Sequence, residues 1–465
     1  MRSILAVASN TVKQALRMKV ALVFVVLLLV LLPLLALSAS GDGSMKGRLQ
    51  TFVSYGVSLT SLLLSLLTLF TAIYTTTSDL VHKQVYTVLT KPLRRYEFLL
   101  GKFFGILFLD VVLLILFSGI IYGIVVLAPR YVNVSAQEQL ELNDQFYTAR
   151  ARMLPKPVAV TEEEVEAKYQ QLEHDQVLDQ KFDKHSPGKL KDYLRNQLRM
   201  SKNAVAVGAP HIWEFNNIKP LDPNEELFLR FKFDVAVTPP DEQFYSRWTV
   251  GDDRPSKRGE KSTTPIRFYD RKDPVRTFRE FPIPARVVAK DGYLAVGFLN
   301  VPQLNQTTVI FSEGKRRNDK ENESLVLLYK AGTFRGNFFK AMLLIFFRLV
   351  FLAGLAILSA TFLSFPVAAL LALVVFLTVS VSGFILESFG YLGDALQQVY
   401  GSTIELIIKG LPQFDKYSPS EYLIDAQLID WYMIHWASWT LLWALVLLGL
   451  GLAIFSFKEL ASDTS

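Results

Sequence analysis

The sequence predicts a membrane all-α fold of six transmembrane helices, with an inserted extracytoplasmic domain that is part helical and part β-sandwich. Three observations lead there. First, 51% of the 465 residues are hydrophobic, and they are gathered in runs rather than spread along the chain. A helix needs about 20 apolar residues to cross about 30 Å of hydrocarbon, and residues 20–39, 53–76, 103–128, 339–360, 365–388 and 432–457 each meet that requirement. Second, Lys and Arg collect beside particular runs, which orients them. Third, a long polar stretch between the third and fourth runs changes halfway to the period-two pattern of half-buried strands.

The elements follow in order. Residues 1–19 carry Arg2, Lys13, Arg17 and Lys19 and no acid, which places the N-terminus in the cytoplasm. Ile4, Leu5, Val7, Ala8, Val12 and Leu16 recur at helical spacing, as in an elbow helix lying along the membrane face. The first run is longer than a signal-peptide core and lacks a small-residue cleavage site, so it is read as a retained span. Residues 78–102 lie between the second and third spans. Lys83, Lys91, Arg94, Arg95 and Lys102 outweigh Asp79 and Glu97 there, which marks a cytoplasmic segment.

Counting outward from that segment, residues 130–337 are extracytoplasmic and both termini are cytoplasmic. The chain then divides into an N-terminal membrane part (1–129), an extracytoplasmic helical segment (130–202), a β-sandwich-like domain (203–337) and a C-terminal membrane part (338–465). In the helical segment Thr161 with Glu164 forms a capping box, and Ser186 before Pro187 marks a second helix start. In the β-rich part Leu229, Phe231, Phe233, Val235 and Val237 alternate with polar or small residues. Strands are also expected at 265–269, 307–312 and 324–330, and Asp291 with Gly292 predicts a hairpin between the run ending near Val288 and 293–298. Residues 394–411 are apolar but too short to span, and read as a re-entrant or interfacial helix.

Several local patterns together resemble the membrane subunit of type-2 ABC exporters. Thr87, Leu89, Pro92, Arg94, Arg95, Gly101 and Lys102 fit that family's segment between spans two and three. The turn 359–366, the stretch Leu411, Pro412, Gln413 and Phe414 with Ser418 and Pro419, and the exit at Phe457, Lys458, Glu459 and Leu460 follow in the family's order. The local sequence 78–84 lacks the Arg-Glu pair common before the family's coupling helix. The resemblance covers about 255 residues, nearly all outside the insert. It implies an inner-membrane permease that works as a dimer with a second copy or a paralogue, and a partner ABC ATPase that binds ATP and Mg²⁺. It also implies ATPase coupling through 79–96, with Val85, Val88 and Leu89 as the apolar face and Lys91, Pro92, Arg94 and Arg95 beside it. A basic interfacial helix touching only anionic lipid would carry the same residues.

The chain itself offers no catalytic constellation. Gly101-Lys102, Gly188-Lys189 and Gly314-Lys315 lack the upstream glycine and the following Ser or Thr of a phosphate-binding loop. No cysteine occurs, and His82, His174, His185, His211 and His435 are scattered, so neither a thiolate nor a histidine metal site is expected. The net charge of +6 fits membrane flanks rather than a nucleic-acid surface.

Asp110 and Arg348 fall inside spans, where ionisable groups are costly. They are candidates either for a polar translocation path or for a mutually satisfied structural pair. Asp252 and Asp253 read as a solvated turn. Trp213, Phe215, Tyr245, Trp248 and Tyr269 read as sandwich core or as a ligand platform. A membrane-anchored extracytoplasmic binding or sensor protein is the alternative function.

Overall fold

The computed structural model describes residues 2–41, 43–81, 94–132, 134–174, 187–220, 224–257, 265–302, 307–311, 324–389 and 403–457. Two compact units result: residues 1–149 with 332–465, and residues 150–331.

The first unit is built from apolar helices. Helix α1 (Arg2–Arg17) is amphipathic, with Val7, Thr11 and Ala15 buried at four-residue intervals on one face. Helix α2 (Lys19–Ser38) is apolar all round yet buries few side chains, the pattern of a lipid-facing span. Helices α3 (Met45–Val81) and α4 (Arg95–Tyr131) have 37 residues each, or about 55 Å of helix. Helix α5 (Ala136–Gln145) begins at a capping box: Glu138 N donates to Ser135 Oγ (3.2 Å) and Ser135 N donates to Glu138 Oε2 (3.1 Å). Strand β1 (Thr148–Met153) leads into the second unit.

In the second unit, helix α6 (Glu162–His174) starts at the expected capping box, with Thr161 N to Glu164 Oε2 at 3.0 Å and Glu164 N to Thr161 Oγ1 at 3.3 Å. Helix α7 (Pro187–Lys202) begins on its proline; Ser186 lies outside the described residues. The two helices are joined by Arg195–Glu162 (2.7 Å), Lys191–Glu166 (2.6 Å) and Lys202–Glu164 (2.7 Å). Val165 and Leu194 are their buried apolar residues, a small seam for two highly charged helices.

The strands are β2 (Ala204–Val205), β3 (Pro210–Phe215), β4 (Glu226–Phe231), β5 (Asp234–Val235) and β6 (Gln243–Gly251). A short helix α8 (Arg254–Lys257) is followed by β7 (Arg267–Pro274), β8 (Arg279–Pro284), β9 (Leu294–Asn300), β10 (Val309–Ile310) and β11 (Leu325–Thr333). They form sheets ordered β1-β11-β4-β8, β2-β10-β5 and β3-β9-β6-β7. Register is set by apolar residues facing one core: Leu229 lies opposite Leu327 and Phe281, and Trp248 opposite Phe298 and Tyr269. Trp248 is fully buried, with ring centroids of Phe231, Phe281 and Phe298 at 4.8, 5.9 and 4.9 Å. Two sheets thus share one aromatic core.

Two strand expectations need correction. The alternating run 229–237 is not one strand, because β4 and β5 belong to different sheets and the chain turns at Lys232–Phe233. The residues before Asp291 and Gly292 are not the partner of β9. Ala285–Val287 is a 3-10 turn, and β9 pairs with β3 and β6. Gly292 does make the tight turn expected of it, with φ +79° and its N–H on Ala289 O at 2.8 Å.

Back in the first unit, Thr333 Oγ1 accepts from Gly336 N (3.3 Å) and caps α9 (Phe334–Phe362). Then come α10 (Phe365–Ser380), α11 (Ser382–Phe389), α12 (Ile404–Gly410), α13 (Pro419–Ile424), α14 (Trp431–Ala437) and α15 (Trp439–Phe457). Among the described residues five helical stretches are long and apolar enough to cross a membrane: α2, α3, α4, α9 and Trp431–Phe457. Helices α3 and α9 are largely buried and form the centre; α2, α4 and the last stretch expose most of their apolar surface.

The sixth expected span, 365–388, is two helices separated at Val381. Helix α10, with 16 residues, reaches about 24 Å. The break is stabilised by Asp415, whose carboxylate accepts from Ser382 Oγ and Gly383 N, both at 2.7 Å. Of the expected re-entrant segment 394–411, residues 394–402 lie outside the described residues, and α12 is its helical remainder.

Candidate functional site

The most concentrated polar chemistry of the helical unit lies where α1, α3 and α4 meet. Lys102 near the start of α4 is 1% exposed. Its Nζ lies 2.5 Å from Asp79 Oδ2 and donates to Gln14 Oε1 (3.0 Å) and Thr75 O (2.9 Å). These are three acceptors for an ammonium that has three donors. Gln14 closes the ring by donating its Nε2 to Asp79 Oδ1 at 3.1 Å. The ring of Phe98 sits 5.6 Å from the ammonium.

Close backbone approach makes this junction possible. A Cβ on Gly101 would come within 2.5 Å of Val7 Cβ and 3.0 Å of Ile4 O. One on Gly105 would come within 2.7 Å of Ala8 O. The glycines at 101 and 105 therefore form the four-residue small-residue face that lets α1 lie directly on α4. On the other side of α4's first turn, Arg95 donates to Phe455 O (3.1 Å) and Ser456 O (2.7 Å) at the end of α15. Four helices are thus joined at the two ends of 82–94.

Of the sequence-predicted coupling residues, Val85, Val88, Leu89, Lys91 and Pro92 lie outside the described residues. Arg94 is exposed at the N-cap of α4, its N–H bonded to Glu97 Oε2 (3.0 Å). Gln14 was missed by the sequence reading. Its only signal was a polar residue beside the buried stripe of an amphipathic helix.

From this junction a line of buried hydroxyls runs along α3. Ser65, Thr75 and Thr77 each donate to the carbonyl four residues before, at 2.6 to 2.8 Å. The one proton of Thr68 has Leu64 O and Asp110 Oδ1 both at 2.8 Å, and Thr71 and Thr76 Oγ1 are buried without a partner among the described residues. Asp110 and Arg348 attach to this line at separate points and do not pair with each other. Thr68 Oγ1 lies 2.8 Å from Asp110 Oδ1, and Asp110 Oδ2 is buried without a partner among the described residues. Arg348 donates to Ser61 Oγ at 2.9 Å and lies over the Phe414 ring at 4.8 Å. Ser61 and Thr68 are seven residues apart, about 10 Å along the helix, and the two charges come from α4 and α9. That separation excludes the mutual pair.

The second unit holds a different charged cluster. Asp252 is not in a solvated turn: it is 6% exposed and bound to Arg254 at 2.9 Å, and Arg254 also binds Asp291 at 2.6 Å. The Arg254 side chain holds the carboxyls of both Asp252 and Asp291 below the usual range. Burial, followed by the Asp253 carboxylate that accepts its hydroxyl (2.9 Å), pushes the Tyr293 phenol up. This cluster closes a turn. Trp213, Phe215 and Trp248 are buried and pack the sandwich, while Tyr245 and Tyr269 are half-buried. Among the described residues no group of three His, Asp or Glu side chains is placed to hold a metal ion.

No family model, no curated protein and no solved structure matches this chain.

Proposed function

We propose that the chain is the permease subunit of a membrane machine driven by a separate ABC-type ATPase. In this reading residues 79–96 receive the partner's movement, ATP and Mg²⁺ sit on the partner, and a second permease copy or a paralogue completes the assembly. The four-helix junction around Lys102 carries the reading. A segment meant to transmit force must end on firm anchors: Asp79 before it and Lys102 after it form a buried ion pair, and Arg95 at its exit is bonded to α15. A lipid-touching loop has no need of buried charge beneath it, which is expensive to hold in place. The line of hydroxyls on α3 continues from this base toward Arg348. It gives the proposed path its polar wall, and Asp110 and Arg348 attach to that wall separately.

The reading has the N-terminus and 79–96 in the cytoplasm and residues 130–337 outside, supported by the Lys and Arg beside the first spans. The test is co-purification of the detergent-solubilised chain with cellular ATPases, comparing wild type with Leu89→Asp combined with Arg94→Glu. An ABC ATPase bound to wild type and lost from a folded double variant supports the proposal. Failure of wild type to retain any ATPase removes the energy source and leaves the membrane-anchored binding protein as the better reading.

A further inference from the structure

The hydroxyl line of α3 ends at Ser61, and beside Ser61 the helical unit opens a cavity of about 290 Å³. Its polar lining includes three cations: Arg348 from α9, Lys409 from α12 and Lys416 from the segment that follows. Two carboxylates lie nearby and neither lines the cavity. Glu405 is engaged by Lys409 on its own helix, and Asp415 is turned to the start of α11, where it accepts from Ser382 and Gly383. Among the described residues the lining therefore carries three cations and no carboxylate.

Two of the cations, Arg348 and Lys416, are incompletely used. A guanidinium has five N–H donors, and among the described residues Arg348 finds Ser61 Oγ at 2.9 Å and Phe414 O at a long 3.5 Å. Lys416 is exposed and forms no ion pair among the described residues.

The remaining walls mix aromatic residues with Leu344, Leu411, Pro412, Gln413, Ala437 and Thr440, and Trp436 and Trp439 on the lining are each 54% exposed. With Trp431 and Tyr432, also exposed, they form a cluster at the α14–α15 joint. Exposed Trp and Tyr at one end of an apolar span mark the level of the lipid headgroups. Cations lining a cavity that also carries exposed indole rings fit an anion that has its own apolar part.

We propose that this cavity binds a phosphate-bearing anion, with Arg348, Lys409 and Lys416 on the phosphate and Trp436 and Trp439 against the neck of an anionic membrane lipid. The proposal depends on membrane embedding alone and is independent of the ATPase partner.

The test uses the full-length chain in nanodiscs of phosphatidylcholine mixed with phosphatidylglycerol. Lipid retained per protein after detergent extraction is counted by native mass spectrometry, with and without excess inorganic phosphate. Phosphatidylglycerol should be retained in preference to phosphatidylcholine. Lys416→Gln should weaken that preference about five-fold, the effect of one cation at a membrane surface, and Lys290→Gln in the second unit should leave it unchanged. Arg348→Gln should weaken it further; because that change also removes the Ser61 bond, the exposed Lys416 carries the decision. Retention that survives inorganic phosphate assigns the site to the lipid. Displacement by inorganic phosphate assigns it to a soluble phosphate and supports the anion site in that form. Equal retention of the two lipids, or a preference that Lys416→Gln leaves intact, overturns the proposal.

Discussion

Replacing Lys102 by methionine removes the cation at the centre of the α1–α3–α4 junction and leaves the Asp79 carboxylate with one donor, Gln14 Nε2. Both side chains of the pair are under 10% exposed, so water cannot replace the lost partner. Breaking a buried pair by removing one member costs about 3–5 kcal/mol, whereas replacing both members with apolar residues is often neutral. The expected pattern is therefore specific. Lys102→Met and Asp79→Leu should each lose at least ~3 kcal/mol, while the double variant should lose clearly less than the sum of the two, the remainder reflecting Gln14 and Thr75 O left without these partners. Gln14→Ala, which removes two hydrogen bonds to charged partners, should lose about 1.5–3 kcal/mol for each bond. Reversible unfolding of the full chain in detergent micelles, analysed as a double-mutant cycle, measures the coupling. Losses that add, or a Lys102→Met cost below ~1 kcal/mol, would show that the junction is not a clamp and would remove the main support for force transmission through 82–94.

Further outcomes follow from other sites. Gly101→Val places atoms on Val7 and Ile4 of α1 and should cost about 1–3 kcal/mol by overpacking, read as lowered thermal stability; Gly119→Ala, where nothing lies within 4 Å, should be near neutral. Because Arg254 lowers the Asp252 and Asp291 carboxyls in the folded chain, their stabilising contribution is complete above the unfolded value of about 3.9. It disappears as pH falls through the lower folded values, so acid unfolding of wild type and Arg254→Ala should differ above pH ~4 and converge below it. Trp248→Ala removes the centre of the aromatic core and should cost about 3–5 kcal/mol, seen as early loss of β signal in circular dichroism.

Much of the fold was legible because it rests on local composition. The spans 53–76, 103–128, 339–360 and 432–457 are helices because a bilayer leaves a 20-residue apolar run no other way to satisfy its backbone. The Thr161 cap was readable for the same reason: its partners are three residues apart. What failed depended on distant residues. Hydropathy across 365–388 is continuous, and the break at Val381 is fixed by Asp415, more than thirty residues away. The 229–237 alternation carried no sign that β4 and β5 join different sheets. At the candidate site the cations of 78–102 were visible, but that Lys102 is buried while Arg94 is exposed could only follow from where α1 lies. Asp110 and Arg348 were identifiable as costly residues; their attachment to different turns of α3 was not.

The ties of α3 to its neighbours differ along its length. Between Ser61 and Thr77 three hydroxyls return to their own helix, and the bonds to neighbouring helices among the described residues are single ones: Arg348 to Ser61, Thr68 to Asp110 and Lys102 to Thr75 O. At Asp79 the tie is stronger, since moving α4 or α1 there means separating buried charge. The same helix is therefore held to its neighbours most strongly at its Asp79 end, where three helices share one buried charge pair.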